Sequence, residues 1–285
     1  MGARVVGLAP GIGLGRSVSV LGALLFCMGL AGCLGPPYET GRPSDIAPGA
    51  QSFRQTVDGR SLHWVEAGPQ HGPPVLLLHG TPGSWAAWGE YFKSPDLGDY
   101  RLIAVDRPGF GDSAEAGVET RLQVQADVLA ALLEARGPLL VVGHSLGGSL
   151  AIRLLRDHPE QVRGVVLVAA SLDPAAEAPR WFNRVADWPL LRAVLPQPLA
   201  RANAEVLALQ DELDALWRGW TPDRTPVVLI QGMDDRLVWP ETAAFAEAQW
   251  AGGGLQVQRV EQAGHFIVWE QPERVVRALQ QVAVP

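Results

Sequence analysis

One serine, held between glycines at the junction of a strand and a helix, constrains this 285-residue chain more than anything else in it. The apolar run Pro138-Leu139-Leu140-Val141-Val142 leads into Gly143-His144-Ser145-Leu146-Gly147-Gly148. Leu150, Ile152, Leu154 and Leu155 then follow with helical character. The pattern reads as strand, sharp turn, helix, with G-x-S-x-G at the turn. A Cβ at Gly143 or Gly147 would crowd the turn or the neighbouring strand. A helix beginning at Leu146 aims its free N–H groups and the positive end of its dipole at the serine.

Other apolar runs bracket this one. Ser52 to Val57, the turn Asp58-Gly59 and Ser61 to Glu66 read as a hairpin. Pro74–Leu78, Arg101–Val105, Val162–Val168, Pro226–Ile230 and Leu255–Val260 are short, mostly apolar runs, as strands of a buried parallel sheet should be. Helical patterns lie at Leu122–Ala135 and at about Pro272–Val282. The alternation predicts an α/β fold: a mostly parallel, eight-stranded sheet with helices on both faces, over residues 52–285. Between about 172 and 225 the alternation breaks into two helical patterns, near Trp181–Leu195 and Leu199–Trp217. This insert is expected to be a helical lid. It carries Trp181, Trp188, Trp217 and Trp220, each of which either packs the lid onto the core or meets substrate.

The first 32 residues hold Arg4 and Arg16, no acid, and the apolar run Val18–Leu30. That run is short for a membrane span and fits the h-region of a secretory signal. It ends in Leu30-Ala31-Gly32-Cys33, which resembles the bacterial lipobox. The resemblance implies cleavage before Cys33 and a lipid on that cysteine. Leu34 in the next position implies the outer membrane in a Gram-negative host. An uncleaved anchor or an ordinary signal is the alternative. Residues 33–51, rich in Pro and Gly, are expected to be a flexible tether. The net charge of −7 argues against nucleic acid as a partner. Cys27 and Cys33 both precede the folded part, which has no C-x-x-C or H-E-x-x-H pattern. Neither a disulfide framework, a metal nor a cofactor is expected.

Four motifs in order, His79-Gly80-Thr81-Pro82-Gly83, Asp106-Arg107-Pro108-Gly109-Phe110-Gly111-Asp112-Ser113, the Ser145 turn and Gly264-His265-Phe266, make residues 52–285 resemble the α/β-hydrolase-fold enzymes. Ser145 is then the expected nucleophile, and a serine hydroxyl needs a base within hydrogen-bond reach. His265 follows the last strand and lies at the carboxyl edge of the sheet, where the serine is. His63, His71 and His158 lie elsewhere, and His144 and His79 are expected to be structural, His79 by bracing the loop that follows it. The resemblance implies an acid in the loop after Val227–Ile230, where glycine, two residues and aspartate select Asp235. Asp173 and Asp234 are the alternatives. It further implies that the backbone N–H groups of Thr81 and Leu146 face the oxyanion of a tetrahedral intermediate. The Asp106–Ser113 loop is expected to be structural.

The elbow residue separates branches of the family. Haloalkane dehalogenases and epoxide hydrolases place aspartate there, although their oxyanion loops resemble His79–Pro82. Serine implies acyl transfer to water, with a carboxylic ester as the default small-molecule substrate. Carbon–carbon hydrolysis, lactonase, thioesterase and perhydrolase activities use the same three residues, and a non-catalytic envelope lipoprotein is the remaining alternative.

Overall fold

A computed structural model describes residues 42–283. The expected signal peptide, the expected lipidation site Cys33 and residues 34–41 of the expected linker lie outside the described residues. Eight strands form one sheet: β1 (Gln51–Val57), β2 (Arg60–Ala67), β3 (Pro74–Leu78), β4 (Arg101–Val105), β5 (Leu139–His144), β6 (Val162–Val168), β7 (Val227–Gly232) and β8 (Leu255–Val260). Their order is β1-β2-β4-β3-β5-β6-β7-β8. β2 is antiparallel to β1 and to β4, and every other pairing is parallel. β5 therefore runs at the centre of the sheet, with Leu78 of β3 opposite Gly143 and Leu167 of β6 on its other side.

The pleat of β5 explains why its run is uniformly apolar. Leu139 and Val141 face one core, with the helices Leu122–Leu133 and Leu146–Asp157. Leu140 and Val142 face the other, with the C-terminal helix Pro272–Ala283. Both faces are covered, so no position along the strand can be polar without losing apolar burial.

The flexible linker expected over residues 33–51 does not hold for its last part. Pro43–Ile46 forms a helical turn, and Ala47 and Ala50 are buried in the second core with Ile46 packed beside them. Small apolar side chains in a Pro- and Gly-rich stretch are enough to dock it, and residues 42–50 belong to the fold.

The insert after β6 holds two short helices, Trp181–Ala186 and Pro189–Arg192, and a long one, Gln197–Trp217. The long helix buries Ala202, Glu205, Leu209, Leu213 and Leu216, one stripe at helical period. At its end Trp217 stacks on Trp220 at 5.5 Å and meets Trp250 and Phe245 edge-on. Its indole N–H donates to the Leu172 carbonyl at 2.8 Å. The four lid tryptophans divide accordingly. Trp217 and Trp220 pack against the core, whereas Trp181 and Trp188 are 63% and 62% exposed.

Glu205 is the charged member of the buried stripe. It pairs with Arg107, through Nη1–Oε1 at 2.6 Å and Nη2–Oε2 at 3.1 Å, with both side chains almost wholly shielded from solvent. The bidentate geometry suits a guanidinium fork.

Candidate active site

Ser145 sits between β5 and the helix Leu146–Asp157 with φ 53° and ψ −124°, in the positive-φ region that costs a non-glycine residue about 1–3 kcal/mol. Hydrogen bonds from both sides hold it there. Its N–H donates to Val168 at the end of β6, and its carbonyl accepts from Gly148. A Cβ at Gly143 would meet the Gly148 Cα at 2.7 Å, and one at Gly147 would meet the His79 carbonyl at 2.6 Å. Both glycines are thus required by close approach.

His265 and Asp235 come together by way of two loops. The N–H of Asp234 donates to the Ala263 carbonyl at 2.9 Å, which ties the loop after β7 to the loop after β8. Asp235 Oδ2 then accepts from His265 Nδ1 at 2.8 Å. Its Oδ1 accepts the N–H groups of Leu237 and Val238 at 2.8 and 3.0 Å. The carboxylate is buried, and its lone pairs are spent on fixing one ring orientation. With Nδ1 as the donor, Nε2 is the nitrogen with a free lone pair. Among the alternatives, Asp234 is solvent-exposed, and Asp173 accepts the N–H of Ala175 within its own turn.

His144, the residue before the serine, joins the two halves. Its Nε2–H donates to the His265 carbonyl at 3.1 Å, and the two rings lie 4.8 Å apart. Burial and the neighbouring His265 push its pKa down to about 3, against a partial opposing effect of that hydrogen bond. The ring is neutral and serves as a spacer that holds the His265 backbone against β5.

The loop His79–Pro82 is braced as expected. The backbone N–H of Arg107 donates to His79 Nε2 at 3.0 Å, so Nδ1 carries the proton and donates to the Gly80 carbonyl at 2.7 Å. Burial, then the Arg107 charge, keep this ring well below the ordinary histidine pKa. Arg107 Nη2 donates to the same Gly80 carbonyl at 3.0 Å. In a trans peptide the N–H points away from the C=O, so two donors pinning the Gly80 carbonyl turn the Thr81 N–H to the opposite side. Gly80 abuts the serine: a Cβ added there would lie 3.0 Å from the Ser145 Cβ. Among the described residues, no protein acceptor takes the N–H of Thr81 or of Leu146. The buried Thr81 hydroxyl also has no partner among them.

Three features escaped the sequence. The first is Glu177, in the Pro- and Ala-rich start of the lid. It hydrogen-bonds Ser171, whose backbone N–H reaches the Ser145 carbonyl at 3.3 Å. Burial, then the nearby Asp235 charge, push its carboxyl up to about 7, against the lowering effect of the Ser171 bond. The second is a look-alike string. Ser52 Oγ meets His63 Nε2 at 2.7 Å, and His63 Nδ1 meets Asp106 Oδ2 at 2.8 Å. Ser52 lies within the β1–β2 hairpin with no helix N-terminus after it. Asp106 is engaged in loop structure, accepting the N–H groups of Trp85 and Asp112. His63, Asp106 and Asp112 also bring ligand-type atoms within 4.8 Å of one another, yet both His63 nitrogens and both Asp106 oxygens are already engaged. The third is the Arg107–Glu205 pair, which connects the lid to the carbonyl that orients Thr81.

The chain belongs to the alpha/beta hydrolase family, whose model matches residues 75–278. It is similar to epoxide hydrolase B of Mycobacterium tuberculosis, 33% identical over 190 residues, which cover 61% of this chain and 52% of the relative. It is also similar to a pimeloyl-acyl-carrier-protein methyl ester esterase of Vibrio parahaemolyticus, 36% identical over 119 residues, covering 42% of this chain and 44% of the relative. The chain spans about half, or less, of the length of these curated relatives. Among solved structures, Cfl2 from Burkholderia cenocepacia superposes with a TM-score of 0.68 at 26% identity, covering 82% of this chain and 95% of that one.

Proposed function

We propose that this chain is a serine hydrolase that cleaves carboxylic esters. Ser145 Oγ attacks the ester carbonyl while His265 Nε2 takes its proton, and Asp235 stabilises the resulting imidazolium. The N–H groups of Thr81 and Leu146 receive the oxyanion, and the strained elbow keeps the hydroxyl clear of its own backbone. The intermediate collapses, the alcohol leaves with the proton from His265, and a water activated by the same nitrogen hydrolyses the acyl-enzyme. The observation that carries the reading is the buried Asp235–His265 hydrogen bond at 2.8 Å, joined through His144 to the serine turn. The esterase among the relatives is consistent with it. The epoxide hydrolases are consistent with the fold but, by the resemblance, act through an aspartate at the position of Ser145.

Turnover of short p-nitrophenyl esters by wild type and Ser145→Ala tests the assignment. Loss of at least about 10³-fold with an unchanged melting temperature supports it, and an active Ser145→Ala protein refutes it. We further propose that the chain is exported and lipid-anchored through Cys33, so that Cys33→Ser releases it from membranes. Persistent membrane fractionation of that variant would contradict the anchor.

A further inference from the structure

Among the described residues, seven large apolar side chains stand exposed: Phe53, Trp181, Trp188, Leu190, Leu191, Val194 and Trp239. Six of the seven fall on the outer lid or on the loop that holds Asp235. Leu190 and Val194 are 85% and 76% exposed, and Trp181, Trp188 and Leu191 stand exposed with them in the same stretch of the lid, a density that isolated surface leucine and valine do not reach. The two parts of this cluster adjoin. Arg180, which precedes the first lid helix, lies over the Trp239 ring at 5.8 Å and donates to the Arg236 carbonyl. The cluster therefore borders the proposed acid.

We propose that this face docks on an anionic lipid layer and presents the site to esters held in it. The proposal rests on the hydrolase reading for the word ester, but not for the docking. Three observations favour lipid over a second protein. Tryptophans and arginines interleave along the segment Arg180-Trp181-Phe182-Asn183-Arg184-Val185-Ala186-Asp187-Trp188-Pro189-Leu190-Leu191-Arg192, the residue types that settle at a bilayer interface. That segment carries three arginines against one aspartate, which pairs with Arg192, in a chain of net charge −7, and the local excess of positive charge suits lipid phosphates. The third is reach. Eight residues separate the proposed lipid anchor at Cys33 from the first described residue, Arg42, a reach of about 30 Å even when fully extended. The two outer lid helices, Trp181–Ala186 and Pro189–Arg192, are short, and no described helix is long and apolar enough to cross a membrane.

The test uses the full chain with vesicles of phosphatidylglycerol and phosphatidylcholine in which part of the lipid is brominated on its acyl chains. The bromines quench tryptophans that enter the layer. Wild type should be quenched, and Leu190→Ser/Val194→Ser, which removes exposed apolar area without touching the core, should lose most of that quenching. Its turnover of an ester dissolved in the vesicles should fall about tenfold or more while turnover of a soluble short ester stays within about twofold. Equal quenching of both proteins overturns the proposal, as does an equal fall on both esters. Equal quenching by purely neutral vesicles overturns its anionic part. A dimer that the double variant dissociates, without quenching of wild type, would show that a second copy covers the face instead. If wild type turns over no soluble ester, the hydrolase reading fails, and the quenching still decides the docking.

Discussion

Replacing Glu205 by alanine should cost this fold more than any exposed substitution, and the size follows from the partners it leaves behind. Arg107 is fully buried and spends its guanidinium on five acceptors: both Glu205 oxygens, Gln125 Oε1, and the carbonyls of His79 and Gly80. Without Glu205 the cation keeps three neutral acceptors and no counter-charge. Breaking one side of a buried pair costs about 3–5 kcal/mol, because the surviving charge cannot reach water. For a domain of this size that corresponds to a fall of roughly 6–20 °C in melting temperature. Glu205→Gln retains an acceptor and should cost about half as much. The double variant Arg107→Met/Glu205→Leu removes both charges and should be more stable than Glu205→Ala alone. Its activity should nevertheless fall, because the Gly80 carbonyl loses its second donor and Thr81 its fixed orientation. Urea unfolding followed by tryptophan emission measures the three stability effects, and ester turnover the fall in activity. A loss below about 1 kcal/mol in Glu205→Ala would refute the claim that the pair anchors the lid.

Asp235→Asn should leave the fold nearly unchanged and cut kcat by about 10³–10⁴, since an amide can hold the His265 ring in the wrong tautomer; a fall under tenfold in a steady-state assay would point to another acid. Glu177→Gln should gain stability over wild type as pH rises. The Glu177 carboxyl titrates at about 7 when folded, against 4.5 as its ordinary value, so ionising it begins to oppose folding above pH 4.5 and does so fully above 7. Unfolding free energies from denaturant titrations should therefore coincide near pH 4.5 and differ by about 1–3 kcal/mol at pH 8; a constant difference across that range would contradict the titration.

Much of the framework was readable from residues alone because it is built from local signals. A buried parallel strand such as Leu139–Val142 must be apolar on both faces, and the serine turn must carry glycines where two backbones pass. Asp235 could be chosen over Asp234 only by resemblance. The structural reason is that Asp234 faces solvent while its N–H ties the two loops together. What stayed hidden depends on partners distant in sequence. Glu205 in a helical stripe reads as a solvated charge until Arg107, 98 positions earlier, is seen beneath it. Trp188 and Trp217 look alike in a helical pattern, yet one stands in solvent and the other in an aromatic cluster. Ala47 and Ala50 carry too little apolar surface to announce that the tether docks. Glu177 has no motif at all, and only its proximity to Ser171 and Asp235 gives it a part.

Because Ser52, His63 and Asp106 form a second Ser–His–Asp set beside the proposed one, one measurement is decisive. The full chain, treated with a fluorophosphonate and digested, should carry a single phosphonate adduct on the peptide that contains Ser145, and Ser145→Ala should carry none. An unlabelled wild type, an adduct at Ser52, or labelling that survives Ser145→Ala would contradict the account.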